Sequence, residues 1–163
     1  MSRNWGAYSN RLPARKKTKI FAKEVAVPII IDGWNLIRSG ESDIDDIEEE
    51  SIESAKKLIS YLKTFQETHK DAITVVFDSS REYLDLNHDN NTALSVVPAR
   101  NADEYIKKYV DEIPERQRRN LRVVSSDNDI YYYAKKSYAA PIKSEEFWHK
   151  LKFKPNRHNK LKP

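Results

Sequence analysis

Four short runs of this chain are apolar almost from end to end and rich in β-branched residues: VPIIID (27–32), AITVVFD (72–78), ALSVV (93–97) and LRVVSS (121–126). A strand with one wet face alternates apolar and polar residues, so continuous runs of this kind belong in a sheet covered on both faces. The intervening segments carry helical spacing instead. Ile52, Ala55, Ile59, Leu62 and Phe65, with Leu58 beside them, fall on one face and predict an amphipathic helix over about 48–69. Ala102, Ile106, Tyr109, Val110 and Ile113 predict a second, which Pro114 interrupts or ends. A third is expected over about 128–138 through Ile130, Tyr133 and Ala134. The last, SEEFWHKL, opens with Ser144 placed to cap it and Glu145 and Glu146 in its positive first turn. Strands alternating with helices in this order predict an α/β sandwich with a mainly parallel sheet.

In such a sheet, ligands bind outside the carboxyl ends of the strands, where the strand order reverses. The acids of this chain fall at those ends. Asp32 closes the first apolar run, Asp78 the second, and Asp127 the fourth, with Asp129 two residues on; Asp103 and Glu104 follow the third and open a helix. Converging carboxylates raise one another's pKa values, and a hard divalent cation, Mg²⁺ or Mn²⁺, compensates them while keeping most of its waters. That arrangement suits metal-assisted hydrolysis of a phosphodiester. Each acid also has a duller reading. Asp32 before Gly33 fits a turn, Asp103 a first-turn helix carboxylate, Asp127 an N-cap, and FDSS a loop start. Their joint position at credible strand ends is what favours chemistry.

Charge is divided along the chain. Residues 1–24 and 148–163 together hold 13 basic groups and one acid, +12, whereas residues 25–147 hold 16 basic and 24 acidic groups, −8. The expected organisation is a basic arm over 1–24, one domain over 25–151 and a basic tail over 152–163. Arg11, Arg15, Lys16, Lys17 and Lys19 in the arm, and Lys152, Lys154 and Arg157 in the tail, are candidates for a sequence-independent grip on RNA phosphates; solvated termini are the plainer reading. No apolar run approaches the roughly 20 residues of a membrane helix. The N-terminus has no signal-peptide pattern, and there is no cysteine. A cytoplasmic protein with no membrane partner is expected.

Taken in order, IIIDGWNLI, ITVVFD, ADEYI, VVSSDNDI and EEFW resemble the YacP-like branch of the NYN domains, which are PIN-like ribonucleases, over roughly residues 27–151. The resemblance implies a three-layer α/β/α PIN-like fold and a Mg²⁺- or Mn²⁺-dependent endoribonuclease. Asp32 matches the family's first-strand acid, Asn35 the asparagine of DGxN, Asp103 the acid of the ADE segment and Asp127 the acid after the last core strand. SSDND resembles the PIN threonine-x-aspartate-x-aspartate pattern, which brings in Ser125 and Asp129. In this reading Asp32, Asp103 and Asp127 hold the metal, Asp129 completes or tunes the site, and Asn35 orients water or phosphate; Asp78, Glu104, Ser125, Ser126 and Trp34 are accessory.

Two positions depart from the pattern. Trp34 stands where the branch usually has tyrosine, so base stacking or packing could persist; and SYAAP replaces a stretch with glycine, so Tyr138 or Ala139 is expected to hold a less permissive backbone. The expected partner is RNA, whether mRNA, rRNA or tRNA, with the ribosome a further candidate. A catalytically silent RNA-binding module is the alternative, motivated by the basic arms and by Tyr131, Tyr132 and Tyr133 beside RQRR (116–119). A haloacid-dehalogenase phosphatase would need DxDxT; no GxxxxGK[ST] P-loop occurs, and three glycines cannot build a glycine-rich dinucleotide cradle, so no nucleotide cofactor is expected. His69, His88, His149 and His158 lack metal-ligand spacing. The acidic stretch 38–51 reads as a loop leading into the first long helix, with a lid over the site as the other possibility.

Overall fold

Both faces of the central strand are closed to water, as the uninterrupted apolar runs require. The structure is a computed structural model that describes residues 28–45, 50–79 and 93–153. Its elements run β1 (Ile29–Asp32), α1 (Gly33–Ile37), α2 (Ile52–Gln66), β2 (Ile73–Asp78), β3 (Leu94–Ala99), α3 (Ala102–Glu112), α4 (Glu115–Arg118), β4 (Arg122–Val124), α5 (Asn128–Lys136), β5 (Ala140–Ile142) and α6 (Ser144–Lys152). The five strands form one sheet in the order β3-β2-β1-β4-β5, and every pairing is parallel. The order reverses beside β1, between it and β4.

Side chains of a strand alternate between faces, and β1 sorts its isoleucines accordingly. Ile29 and Ile31 join a core with residues of α1, α2 and α6, including Leu58, Leu62, Phe147 and Trp148. Ile30 joins a second core with Ala102, Ile106 and Val110 of α3 and Ile130 and Ala134 of α5. This gives the three layers of the PIN-like fold. Asp32 follows in the same alternation, on the α3/α5 face.

Two elements depart from the sequence reading. Gly33 does not make a turn; the chain passes from β1 into α1 without a loop. A Cβ at Gly33 would stand 2.5 Å from the Phe77 ring, so a close approach of α1 to β2 selects glycine there. β5 was not expected, since it is three residues long and holds Pro141, which an edge strand tolerates. Pro114 ends one helix and starts another, serving as N-cap to α4. The boundary of α5 is tight: Ala139 N–H reaches Ala134 O and Tyr138 N–H reaches Lys135 O, a Schellman closure with Tyr138 at φ 71°. The expected backbone difficulty in SYAAP therefore falls on Tyr138. The basic arm 1–24 and the tail beyond Phe153 lie outside the described residues. No described helix is long and apolar enough to cross a membrane.

Candidate active site

The carboxyl ends of β1 and β4 and the N-termini of α3 and α5 enclose a pocket of about 390 Å³. Asp32, Asp78, Asp103 and Asp127 line it together with Glu50 and Glu145, against Arg38, the one cation among the described lining residues. Local structure explains each placement. Asp32 is the last residue of the buried strand and only 9% exposed. Asp103 lies in the first turn of α3, where Asn101 Oδ1 supplies the cap to Glu104 N–H at 3.0 Å. Asp127 is the N-cap of α5, its Oδ1 accepting from Asp129 N–H at 2.8 Å. The capping reading of Asp127 is thus correct and compatible with a place in the pocket, because the cap uses one carboxylate oxygen.

Opposite these acids is a wall whose polar atoms satisfy one another. Asn35 Oδ1 accepts from Ser126 N–H at 2.8 Å and from the Ser144 hydroxyl at 2.6 Å. A backbone N–H can only donate, so this atom must be the amide oxygen, and Nδ2 is the donor left to Asn35. Ser126 Oγ accepts from Ser144 N–H at 2.9 Å and donates to Glu145 Oε1 at 2.6 Å. Ser144 is therefore the first residue of α6 and not its cap. Lys143 holds the cap position without a side-chain bond, and Ser126, 18 residues upstream, meets the exposed N–H.

Burial, more than mutual repulsion, perturbs the acids. Desolvation pushes Asp32 up from 3.8 to about 6, with Asp103 and Asp127 adding to the rise while a hydrogen bond from the Asn35 backbone N–H and the charge of Arg38 oppose it. Asp103 is also raised, first by burial and then by Asp127, with Lys107 pulling the other way. Glu145 moves down, chiefly because the Ser126 hydroxyl donates to it. Among the described residues no three acidic or histidine side chains are gathered into a ready metal cage. The donor chemistry nevertheless fits a hard cation: the carboxylates are oxygen ligands, Arg38, Lys107 and helix N-termini offset part of their negative charge, and Mg²⁺ binds through one or two carboxylates plus waters.

The expected residues do not all arrive. Asp32, Asn35, Asp103 and Asp127 share the pocket, as do Asp78, Ser126 and Trp34. Asp129 is turned aside, its Oδ2 ion-paired with Lys107 Nζ at 2.6 Å. Glu104 lines a separate recess beyond α3. Ser125 is buried beneath the pocket and accepts from Asp127 N–H at 3.1 Å. Trp34 resolves to packing: it is 2% exposed, its ring centroid lies 4.8 Å from that of Phe77, and its Nε1 donates to Asp78 O at 2.8 Å. Of the proposed phosphate grips only Lys152 is described, and it ion-pairs Glu41 and Asp43. Sequence reasoning missed Arg38, Glu50 and the clasp through Ser144 and Glu145; the signal available for Glu145 was its place in EEFW. Within 38–51, Gly40 and Glu50 line the pocket, Ile44 is core, Ser51 caps α2, and residues 46–49 lie outside the described residues.

A family model described as the YacP-like NYN domain matches residues 29–162, running through the basic tail that the motifs leave out. The crystal structure of Rae1 (YacP) from Bacillus subtilis is similar with a TM-score of 0.58 at 20% identity, covering 76% of this chain and 72% of that one. Its W164L mutant gives a TM-score of 0.59 at 20% identity, over 76% and 74%. No curated protein matches.

Proposed function

This chain belongs to the YacP-like NYN domain family, a PIN-like group of nuclease type that acts on RNA, and from that premise we propose that it is an endoribonuclease dependent on Mg²⁺ or Mn²⁺. The observation that supports this most is the joining of Asp32, Asp103 and Asp127, from three remote parts of the chain, in one pocket at the reversal of strand order. These three residues would hold the cation. When bound, the cation supplies Lewis acidity toward a phosphodiester and makes water a stronger acid.

The chain's own residues do the rest. Asp32 ends a strand buried on both faces, so its carboxylate has little freedom, and an ionised Asp32 in that setting favours a cation strongly. Asp127, fixed by its cap, and Asp103, in the first turn of α3, meet the substrate from two helix N-termini. Positive helix ends also favour a phosphate approaching otherwise acidic ground. Asn35 Nδ2 is the neutral donor suited to a phosphate oxygen or to water. Asp129 holds Lys107 beside the pocket rather than joining the ligands.

A second reading, a silent RNA-binding module, has in its favour the absence of a ready three-ligand cage among the described residues. Incubating the protein with mixed-sequence single-stranded RNA in Mg²⁺, Mn²⁺ or EDTA separates the two. Metal-dependent internal cleavage that vanishes in Asp127→Asn supports the nuclease; salt-sensitive binding without cleavage supports the module.

A further inference from the structure

Two corners of the carboxyl edge, one on each side of the pocket, set an aromatic ring beside cations that form no salt bridge among the described residues. Where β3 ends and α3 begins, Arg100, Tyr105 and Lys108 line a shallow recess of about 340 Å³, with Glu104 its one acid. Where β5 ends and α6 begins, Lys143 Nζ lies 4.7 Å from the centroid of the Tyr131 ring. Tyr131 meets Tyr132 edge-on at 5.2 Å, and Tyr132 is 57% exposed. This second corner adjoins the pocket, since Tyr131 follows the N-cap Asp127 by one turn and Lys143 sits close enough to Glu145 to favour its ionised form. Among the described residues Arg100, Lys108 and Lys143 form no salt bridge, in common with most of the lysines and arginines, and what sets them apart is their place at these corners; Arg38 and Lys107, nearer the acids, are ion-paired.

Exposed rings flanked by such cations call for a ligand with both flat apolar faces and phosphates. A nucleic acid strand has both, but only if it is unpaired, because a duplex keeps its base faces stacked on each other. β3 and β5 are the two outer strands of the sheet. Four inter-strand steps of about 4.8 Å separate them by about 19 Å. That distance is on the order of five stacked nucleotides.

We propose that an unpaired RNA strand crosses the carboxyl edge from one corner to the other. One base stacks on Tyr105 and another on Tyr132, Arg100, Lys108 and Lys143 take phosphates, and the phosphodiester between them lies over the carboxylate pocket. This track rests on the ribonuclease reading and adds to it the strandedness, the minimum length and the residues that hold the substrate.

The test is fluorescence anisotropy of a labelled unpaired ten-nucleotide RNA and of a hairpin of the same composition, bound to the full chain carrying Asp127→Asn so that bound RNA stays intact. Asparagine caps helices as well as aspartate does. Tyr105→Ala or Tyr132→Ala should weaken binding of the unpaired RNA about 5- to 100-fold, the loss of one base–aromatic stack. Tyr132→Phe should bind within about twofold of its parent, and Lys143→Ala should flatten the salt dependence by about 0.7 in log–log slope. Equal binding of the hairpin, or both alanine variants binding like their parent, overturns the track. If the native chain cleaves and its tyrosine-to-alanine variants cleave equally well, the track falls alone; if the binding pattern holds and the native chain never cleaves, the track stands and the ribonuclease reading falls.

Discussion

The two walls of the pocket solve opposite problems. On the α1/α6 side, Asn35 Oδ1, Ser126, the Ser144 hydroxyl and Glu145 Oε1 form one connected hydrogen-bond network that leaves Asn35 Nδ2 as its open donor. On the α3/α5 side, Asp32, Asp103 and Asp127 burden one another, and burial raises the first two. A matched wall contributes stability; a strained one spends it, and strain of this kind marks sites kept for chemistry.

Relieving the strained wall should therefore stabilise the protein while silencing it. Asp32→Asn is expected to lower cleavage by roughly 100-fold or more, and yet to raise the metal-free melting temperature at pH 7.5. With a folded pKa near 6 against 3.8 unfolded, the native state binds the extra proton between those values. Native stability is thus greatest below pH 3.8 as far as Asp32 is concerned and declines as pH rises to about 6, by on the order of 3 kcal/mol for this group. Urea unfolding of both proteins at pH 7.5 gives the difference directly; an unchanged or lower midpoint for Asp32→Asn contradicts it.

Damage to the matched wall should do the reverse. Asn35→Ala strands the Ser126 N–H and the Ser144 hydroxyl and is expected to cost about 2–3 kcal/mol of stability, read from the shift in urea midpoint at constant slope. Mg²⁺ or Mn²⁺ offers a third contrast. At millimolar concentration either ion should raise the melting temperature of the native chain, by the mass action of a ligand for the folded state, and leave that of Asp32→Asn nearly unmoved. A common shift in both would place ion binding elsewhere. The smallest effect expected lies far from either wall: Tyr138→Gly, at an exposed left-handed residue, should stabilise by about 1 kcal/mol without changing cleavage.

What could be read in advance follows from the range of the forces involved. The apolar runs announced β1 to β4 because β-branched residues stand consecutively in the chain, although β3, at the sheet edge, buries only Leu94 and is not covered on both faces as its run suggests. Asp32, Asp103 and Asp127 could be placed because strand ends and helix starts are local. The failures needed distant partners. Gly33 looked like a turn until Phe77, 44 residues away, was seen against it. Ser144 looked like a cap, but Asn35 takes its hydroxyl. Asp129 was placed by its motif, whereas its ion pair with Lys107 on the neighbouring helix could not be read there. Trp34 kept an aromatic ring at its position, and only packing against Phe77 decided that it is core.

The reach of Asn35 also orders events in time. Its two bonds span 91 and 109 residues, and contacts of such separation form late, after shorter loops have closed. As the polypeptide leaves the ribosome, β1, β2 and β3 can pair while Ser126 and Ser144 are still unmade. A nascent chain, held next to messenger RNA, thus carries Asp32 but neither Asp127 nor the clasp opposite it. The pocket is assembled only after translation has passed residue 145, which separates the making of this protein from its action on RNA.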